Sequence, residues 1–147
     1  MILKNEKGFT LIELIMIIVI LGILAAMAIP RYVSVQQDAR IAAVNGLAGG
    51  VRAAAAIVHA KSVLEGEDTS AAASVTMEGT AVATVYGYPA TADIDNALND
   101  FTGFTFVAAT ATFTKDNAPT PANCSVDYTE PAAVNTAPTF TVVTSGC

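Results

Sequence analysis

The sequence has one histidine, no tryptophan and two cysteines among its 147 residues, and only 14% of it is charged. Each shortage removes a class of function. With His59 as the single imidazole, a Ser-His-Asp or Cys-His pairing would have to join it to a distant nucleophile, and no spacing suggests one. Cys124 and Cys147 stand without a CxxC pair or a histidine cluster, so the usual metal-site patterns are missing. No GxxxxGK or GxGxxG run offers a phosphate cradle. The sequence therefore predicts no enzyme, no cofactor and no bound metal. Asp93, Asp95, Asn96, Asn99 and Asp100 form the one cluster with a calcium-like composition. An EF-hand count from Asp93 puts Leu98 where glycine is required and Phe104 where the bidentate glutamate is required, so a capped surface helix is expected instead.

Basic residues are scarce and unevenly placed. Seven Lys and Arg face 13 acids, for a net charge of −6. From Glu65 onward ten acids are set against Lys115 alone, giving that half a formal charge of −9. Such a surface repels nucleic-acid phosphates and anionic membranes, so no nucleic-acid partner is expected. The two cysteines both lie in this distal half. In an exported chain they most simply form one disulfide, whose loop closure would restrict the unfolded chain by roughly 3–4 kcal/mol. Two free thiols are the alternative.

What the chain does have is one long apolar run. From Phe9 to Ile29 it reads FTLIELIMIIVILGILAAMAI, bounded by Lys4 and Lys7 before and by Pro30 and Arg31 after. As a helix these residues span about 31 Å, against about 30 Å for a hydrocarbon core. The large aliphatic and Met side chains from Leu14 to Ile29 would cost roughly 20–35 kcal/mol if left in water. The run needs lipid, or an apolar environment built from other copies of itself. The two lysines hold the preceding end in the cytoplasm, and Arg31 opposes that orientation weakly. Ala25, Ala26 and Ala28 would also suit an ordinary signal-peptide cleavage site, but that reading leaves Glu13 unexplained. A carboxylate inside an apolar run is expensive and marks a functional position.

Gly8-Phe9-Thr10-Leu11-Ile12-Glu13, with lysines before it and the aliphatic run after it, resembles the processing motif of type IV pilins. Gly22 and Pro30 match further landmarks of that family. The resemblance implies a leader peptide of residues 1–8, cut after Gly8 by a prepilin peptidase, and N-methylation of the new terminus at Phe9. It also implies assembly into a filament, with Glu13 of one subunit meeting the amine of Phe9 on its neighbour. Such a pair offsets part of each group's desolvation. At about 4 Å and an effective dielectric near 20 the attraction is about 4 kcal/mol before that cost. Phe9 and Glu13 are also four residues apart, so pairing within one chain is the competing arrangement.

Beyond Pro30 the helical signal resumes, with Val44, Leu47, Val51, Ala54, Ala55 and Val58 recurring at three- and four-residue steps. A helix from about Phe9 to Val63 is expected, bent or loosened at Pro30. Gly46, Gly49 and Gly50 either permit close packing on the head or interrupt the helix, and packing is the preferred reading. His59 is placed on the helix surface. The sequence then predicts strands at Ser74–Met77, Ala81–Tyr86, Phe104–Phe113, Ser125–Thr129 and Thr139–Thr144. A short helix is expected over Thr91–Phe101, capped near Thr91 or Asp93.

The expected organisation is a leader (1–8), a transmembrane and filament-core helix (9–30), its amphipathic continuation (31–64) and a β-rich head (65–147). The fold class is α+β, a type IV pilin fold with a long amino-terminal helix on an antiparallel sheet and a carboxyl-terminal disulfide loop. Several stretches are similar to pilins of the mannose-sensitive haemagglutinin type: Gln36-Gln37-Asp38-Ala39-Arg40, Asn45-Gly46, Ala60-Lys61-Ser62, Val85-Tyr86-Gly87-Tyr88-Pro89, Tyr128-Thr129-Glu130 and Val143-Thr144-Ser145-Gly146-Cys147. The resemblance implies a pilus subunit serving surface attachment. Its partners would be further copies of itself, the prepilin peptidase, the assembly machinery, the inner membrane before assembly, and a receptor that the residues do not name. The alternatives are a pseudopilin of a type II secretion system or a membrane-anchored binding module that never polymerises.

Overall fold

A Thr-x-x-Glu start, a run of helix formers and a glycine stop define the first element. The computed structural model describes residues 8–147, so the leader lysines Lys4 and Lys7 lie outside the described residues. The helix α1 runs from Leu11 to Glu65, and its backbone stays helical through Pro30. It ends in a Schellman turn. Gly66 takes a left-handed φ of 76°, its N–H donates to Val63 O, and Glu67 N–H donates to Ser62 O at 2.9 Å. Lys61 and Glu65, one turn apart, form an ion pair at 2.8 Å near that end. The described residues form two units, one ending at Gln37 and the other running from Asp38 to Cys147.

In the second unit, α1 from Asp38 onward lays its apolar stripe on two antiparallel sheets. The smaller sheet orders β1 (Ala73–Met77), β2 (Thr80–Val85) and β3 (Tyr88–Pro89). Val75 and Val82 are directly paired across β1 and β2 and are buried with Val58 of the helix. The larger sheet orders β4 (Phe104–Val107), β5 (Thr112–Lys115), β6 (Ser125–Thr129) and β7 (Thr139–Val143). Its inner face supplies Phe113, Val126 and Tyr128 to a core completed by Val44, Ala48, Val51 and Ala55 of α1. Phe106 and Phe113 are register partners whose ring centroids lie 4.6 Å apart, with Phe101 edge-on to Phe113 at 5.5 Å. The expected antiparallel α+β architecture is therefore present.

The long strand expected over Phe104–Phe113 is two strands. Ala108, Ala109, Thr110 and Ala111 carry no large side chain to continue the alternation. Thr110 N–H closes a turn on Val107 O, and Ala111 adopts a left-handed φ of 48°. The helix expected over Thr91–Phe101 is a shorter 3-10 helix, Thr91–Ala97, without a side-chain cap. Both cap candidates are used elsewhere. Thr91 donates its N–H and hydroxyl to Glu130, and Asp93 accepts the N–H of Ala83 in β2 at 2.9 Å. The two-residue strand β3 was not expected, because a pair of residues ending in Pro carries no alternation.

The glycine expectation also needs correction. Gly46, Gly49 and Gly50 do not interrupt α1, yet Gly46 and Gly49 are exposed and a Cβ on either would touch nothing within 4 Å. Only Gly50 approaches the head, where a Cβ would meet Leu98 at 3.9 Å. Close packing within the chain therefore does not explain the first two.

Tyr128 pins the two sheets together. Its buried hydroxyl donates to Pro89 O of β3 at 2.7 Å. Burial raises its pKa well above the ordinary phenol value, with Glu130 and Tyr88 adding to the effect. A folded value raised above the unfolded value of about 10 means that the neutral phenol's contribution is intact below about pH 10 and is lost as pH rises further. Tyr128→Phe leaves Pro89 O unpaired and is expected to lower stability by about 1–3 kcal/mol at neutral pH. The variant should also lose less stability than the parent above pH about 10, when both are unfolded by urea and followed by circular dichroism.

Candidate functional site

The residues expected to carry function fall at two places, the start of α1 and the carboxyl-terminal loop. At the first, Gly8, Phe9 and Thr10 precede the helix and are exposed, with Phe9 82% accessible. Thr10 is the residue that starts the helix. Leu14 N–H donates to Thr10 O, the first intrahelical bond. The side chains then close a reciprocal pair. Glu13 N–H donates to the Thr10 hydroxyl oxygen at 3.3 Å, while Glu13 Oε2 accepts the Thr10 N–H at 2.9 Å and its hydroxyl at 2.7 Å. This is a capping box, satisfying donors that an α-helix leaves orphaned at its start.

In the uncleaved chain Phe9 N is a peptide nitrogen, and the Glu13 carboxylate takes its hydrogen bonds from Thr10. The Thr-Leu-Ile-Glu spacing carries the capping-box signature, a sequence signal separate from the charge of Glu13 in its apolar run. The other oxygen, Oε1, has no hydrogen-bond partner among the described residues, so the carboxylate keeps an acceptor to offer.

The helix that follows is long and apolar enough to cross a membrane. Its side chains from Leu11 to Ile29 are exposed all round the helix, including Ile12, Ile18, Leu24 and Met27. A helix apolar all round is the pattern of lipid or bundle burial, not of a single water-facing side. Gly22 lies in this stretch with open space around it. Pro30 is within the helical backbone, and its side chain lies outside the described residues.

At the second place, Cys124 and Cys147 are bonded to each other, both buried, with Cα atoms 4.9 Å apart. The bond is embedded in backbone pairing. Gly146 N–H donates to Asn123 O at 2.8 Å, and Thr120 N–H donates to Gly146 O at 3.1 Å. A Cβ at Gly146 would sit 2.6 Å from Thr120 O, so the close approach requires glycine. Arg40 of α1 donates its Nε–H to the Cys147 carbonyl, joining the disulfide loop to the helix. The sequence pointed to the bridge but gave no sign of Arg40. Among the described residues no group of three or more His, Cys, Asp or Glu side chains is placed to hold a metal ion. Asp93 and Asp100, suspected from composition, are engaged with Ala83 and Thr102 respectively.

With this geometry in hand, the comparisons with known proteins are specific. The family described as the prokaryotic N-terminal methylation motif matches residues 3–29. The type IV narrow pilus major component of Thermus thermophilus is 52% identical over 61 residues, which cover 40% of this chain and 53% of that protein. The type IV major alpha-pilin of Moraxella bovis is 42% identical over 70 residues, covering 46% and 44%. The type IV major fimbrial protein of Dichelobacter nodosus is 39% identical over 87 residues, covering 57% and 54%. The chain spans about half the length of these curated relatives. No solved structure matches the chain.

The capping box yields a direct test. Thr10→Ala is expected to destabilise the first turn by about 1 kcal/mol and to speed amide exchange at its first residues. Glu13→Gln, which keeps an acceptor at the third helical position, should leave that exchange nearly unchanged. Equal fraying in both variants would show that the box does not fix the helix start. Through its amino-terminal methylation motif and over about half the length of these relatives, the chain is similar to type IV pilins and fimbrial proteins.

Proposed function

We propose that the chain is a structural subunit of a type IV pilus, held in the inner membrane by residues 9–30 and then assembled into an extracellular filament that serves surface attachment. The observation that carries this reading is Glu13, a carboxylate with a spare acceptor oxygen, inside a helix that is apolar on every side and lies within the matched methylation motif. Cleavage after Gly8 by a prepilin peptidase converts the Phe9 amide into an amine, and methylation keeps it cationic. An amine and a carboxylate brought together out of water offset one another's desolvation. In the filament the apolar helices of many copies bury one another, and each Glu13 receives the amine of a neighbouring Phe9. The head, residues 65–147 with the continuation 31–64, supplies the acidic outer surface.

The Cys124–Cys147 bridge and the absence of a calcium-type cluster among the described residues favour a pilin over a secretion pseudopilin. The head motifs around Tyr86-Gly87-Tyr88 and the Cys147 ending are the reason to assign the filament to the mannose-sensitive haemagglutinin type. The subunit's role on this reading is structural, and its partners are copies of itself, the peptidase and the assembly machinery.

Glu13→Leu separates an assembling subunit from a membrane-anchored module that never polymerises. It removes a costly charge and should leave membrane insertion intact or improved. Surface-filament yield, measured against subunit retained in the inner membrane, should fall sharply or to zero. Glu13→Asp, one methylene shorter, should fall between. Normal filament yield from Glu13→Leu would overturn the pairing mechanism.

A further inference from the structure

Below the carboxyl end of α1, the head holds a cavity of about 270 Å³ lined by His59, Asp68, Tyr86, Tyr88, Asn135 and Thr136. Its volume lies just below the range of ordinary ligand pockets, about 300–1,000 Å³, so it suits one compact group and not a chain. The wall is built to hold its shape. The rings of His59 and Tyr88 stack at 4.0 Å with planes 2° apart, and His59 Nδ1 lies 3.3 Å from Gly87 O. Gly87, at a left-handed φ of 82°, is pressed between two of the lining residues. A Cβ there would come 2.9 Å from both Asp68 Cα and His59 Nδ1. That close approach is what brings the helix, the turn after it and the β2–β3 corner around one space.

The chemistry of the lining is one-sided. Asp68 accepts no side-chain or backbone hydrogen bond among the described residues, and the Tyr86 ring takes part in no aromatic pair. No Lys or Arg lines the cavity, and the chain's cation–π contacts, Arg52 on Phe140 and Lys115 on Phe104, are made elsewhere. Aromatic rings beside an uncompensated carboxylate attract a weakly hydrated cation, through the ring quadrupole and through Coulomb attraction. The formal charge of −9 from Glu65 onward raises the local concentration of such a cation and lowers that of anions. His59 and Asp68 are the only His, Cys, Asp or Glu side chains in the lining, short of the three that a metal cluster among the described residues would need.

We propose that this cavity binds a small organic ammonium group, held by Asp68 and by the rings of Tyr86, Tyr88 and His59. The same head group occurs free and on phosphate-bearing lipids. The acidic surroundings select the free ammonium compound over its phosphate-bearing form. This inference stands whether or not the subunit polymerises.

Choline is the probe, titrated into the full isotope-labelled chain in polyoxyethylene micelles and read by NMR. Shifts should centre on His59, Asp68, Tyr86 and Tyr88 and leave the amides around Cys124 in place. The neutral isostere 3,3-dimethylbutanol should bind at least about tenfold more weakly, since it keeps the shape and loses the charge. Phosphocholine should also bind more weakly than choline. Asp68→Asn, which preserves size and removes the charge, and Tyr86→Leu, which removes the ring and keeps an apolar side chain, should each weaken choline by about three- to tenfold with the Cys124 region unchanged. Equal binding of the neutral isostere, or choline binding indifferent to both substitutions, would overturn the proposal. So would the absence of choline shifts at these residues, and phosphocholine binding as tightly as choline would overturn the assignment to free amines.

Discussion

The structure depends on one imbalance: α1 begins with a stretch that is apolar on all sides and contains one carboxylate. No surface of a single subunit in water satisfies that stretch, whose exposure costs roughly 20–35 kcal/mol against the 5–15 kcal/mol of ordinary domain stability. The segment must be in lipid or among copies of itself, and the proposed function is the passage from the first to the second. The capping box adds a detail that charge arithmetic alone does not supply. Thr10 and Glu13 fix where the helix begins, so Gly8 and Phe9 stay outside it while one carboxylate oxygen remains unbonded.

The second half of α1 solves a different problem with the same periodicity. Its stripe from Val44 to Val58 is buried on two sheets, and its end is secured by the turn at Gly66. The head is small, so cross-links matter to it. Tyr128 joins the larger sheet to Pro89, Glu130 holds Thr91, and the disulfide loop is tied to α1 through Arg40. These are long-range bonds from side chains whose partners lie 39 or more residues away.

Such distances explain what could be read in the sequence. The apolar run, the stripe at Val44–Val58, the strand at Ser125–Thr129 and the cysteine pair are local patterns or have a single possible partner, and all were legible. The break at Ala108–Ala111 was not, because a left-handed alanine has no compositional mark. Thr91 and Asp93 looked like helix caps because cap residues and long-range acceptors are the same residue types. Gly46 and Gly49 were read as packing positions, and the subunit leaves both in open space. The methylation motif was legible at the amino-terminal site. The capping role of Glu13 has its own mark, the Thr10-x-x-Glu13 spacing, which the cost of a charge in an apolar run overshadows.

The central claim is that residues 1–8 are removed and the apolar helix is kept, as a filament core requires. Intact-mass spectrometry of the subunit recovered from sheared surface filaments tests it directly. The account predicts a chain that starts at Phe9, carries one added methyl group, and gains two hydrogens on reduction as Cys124–Cys147 opens. A surface subunit that starts near Pro30 would contradict it, since the segment on which the filament is said to depend would be gone.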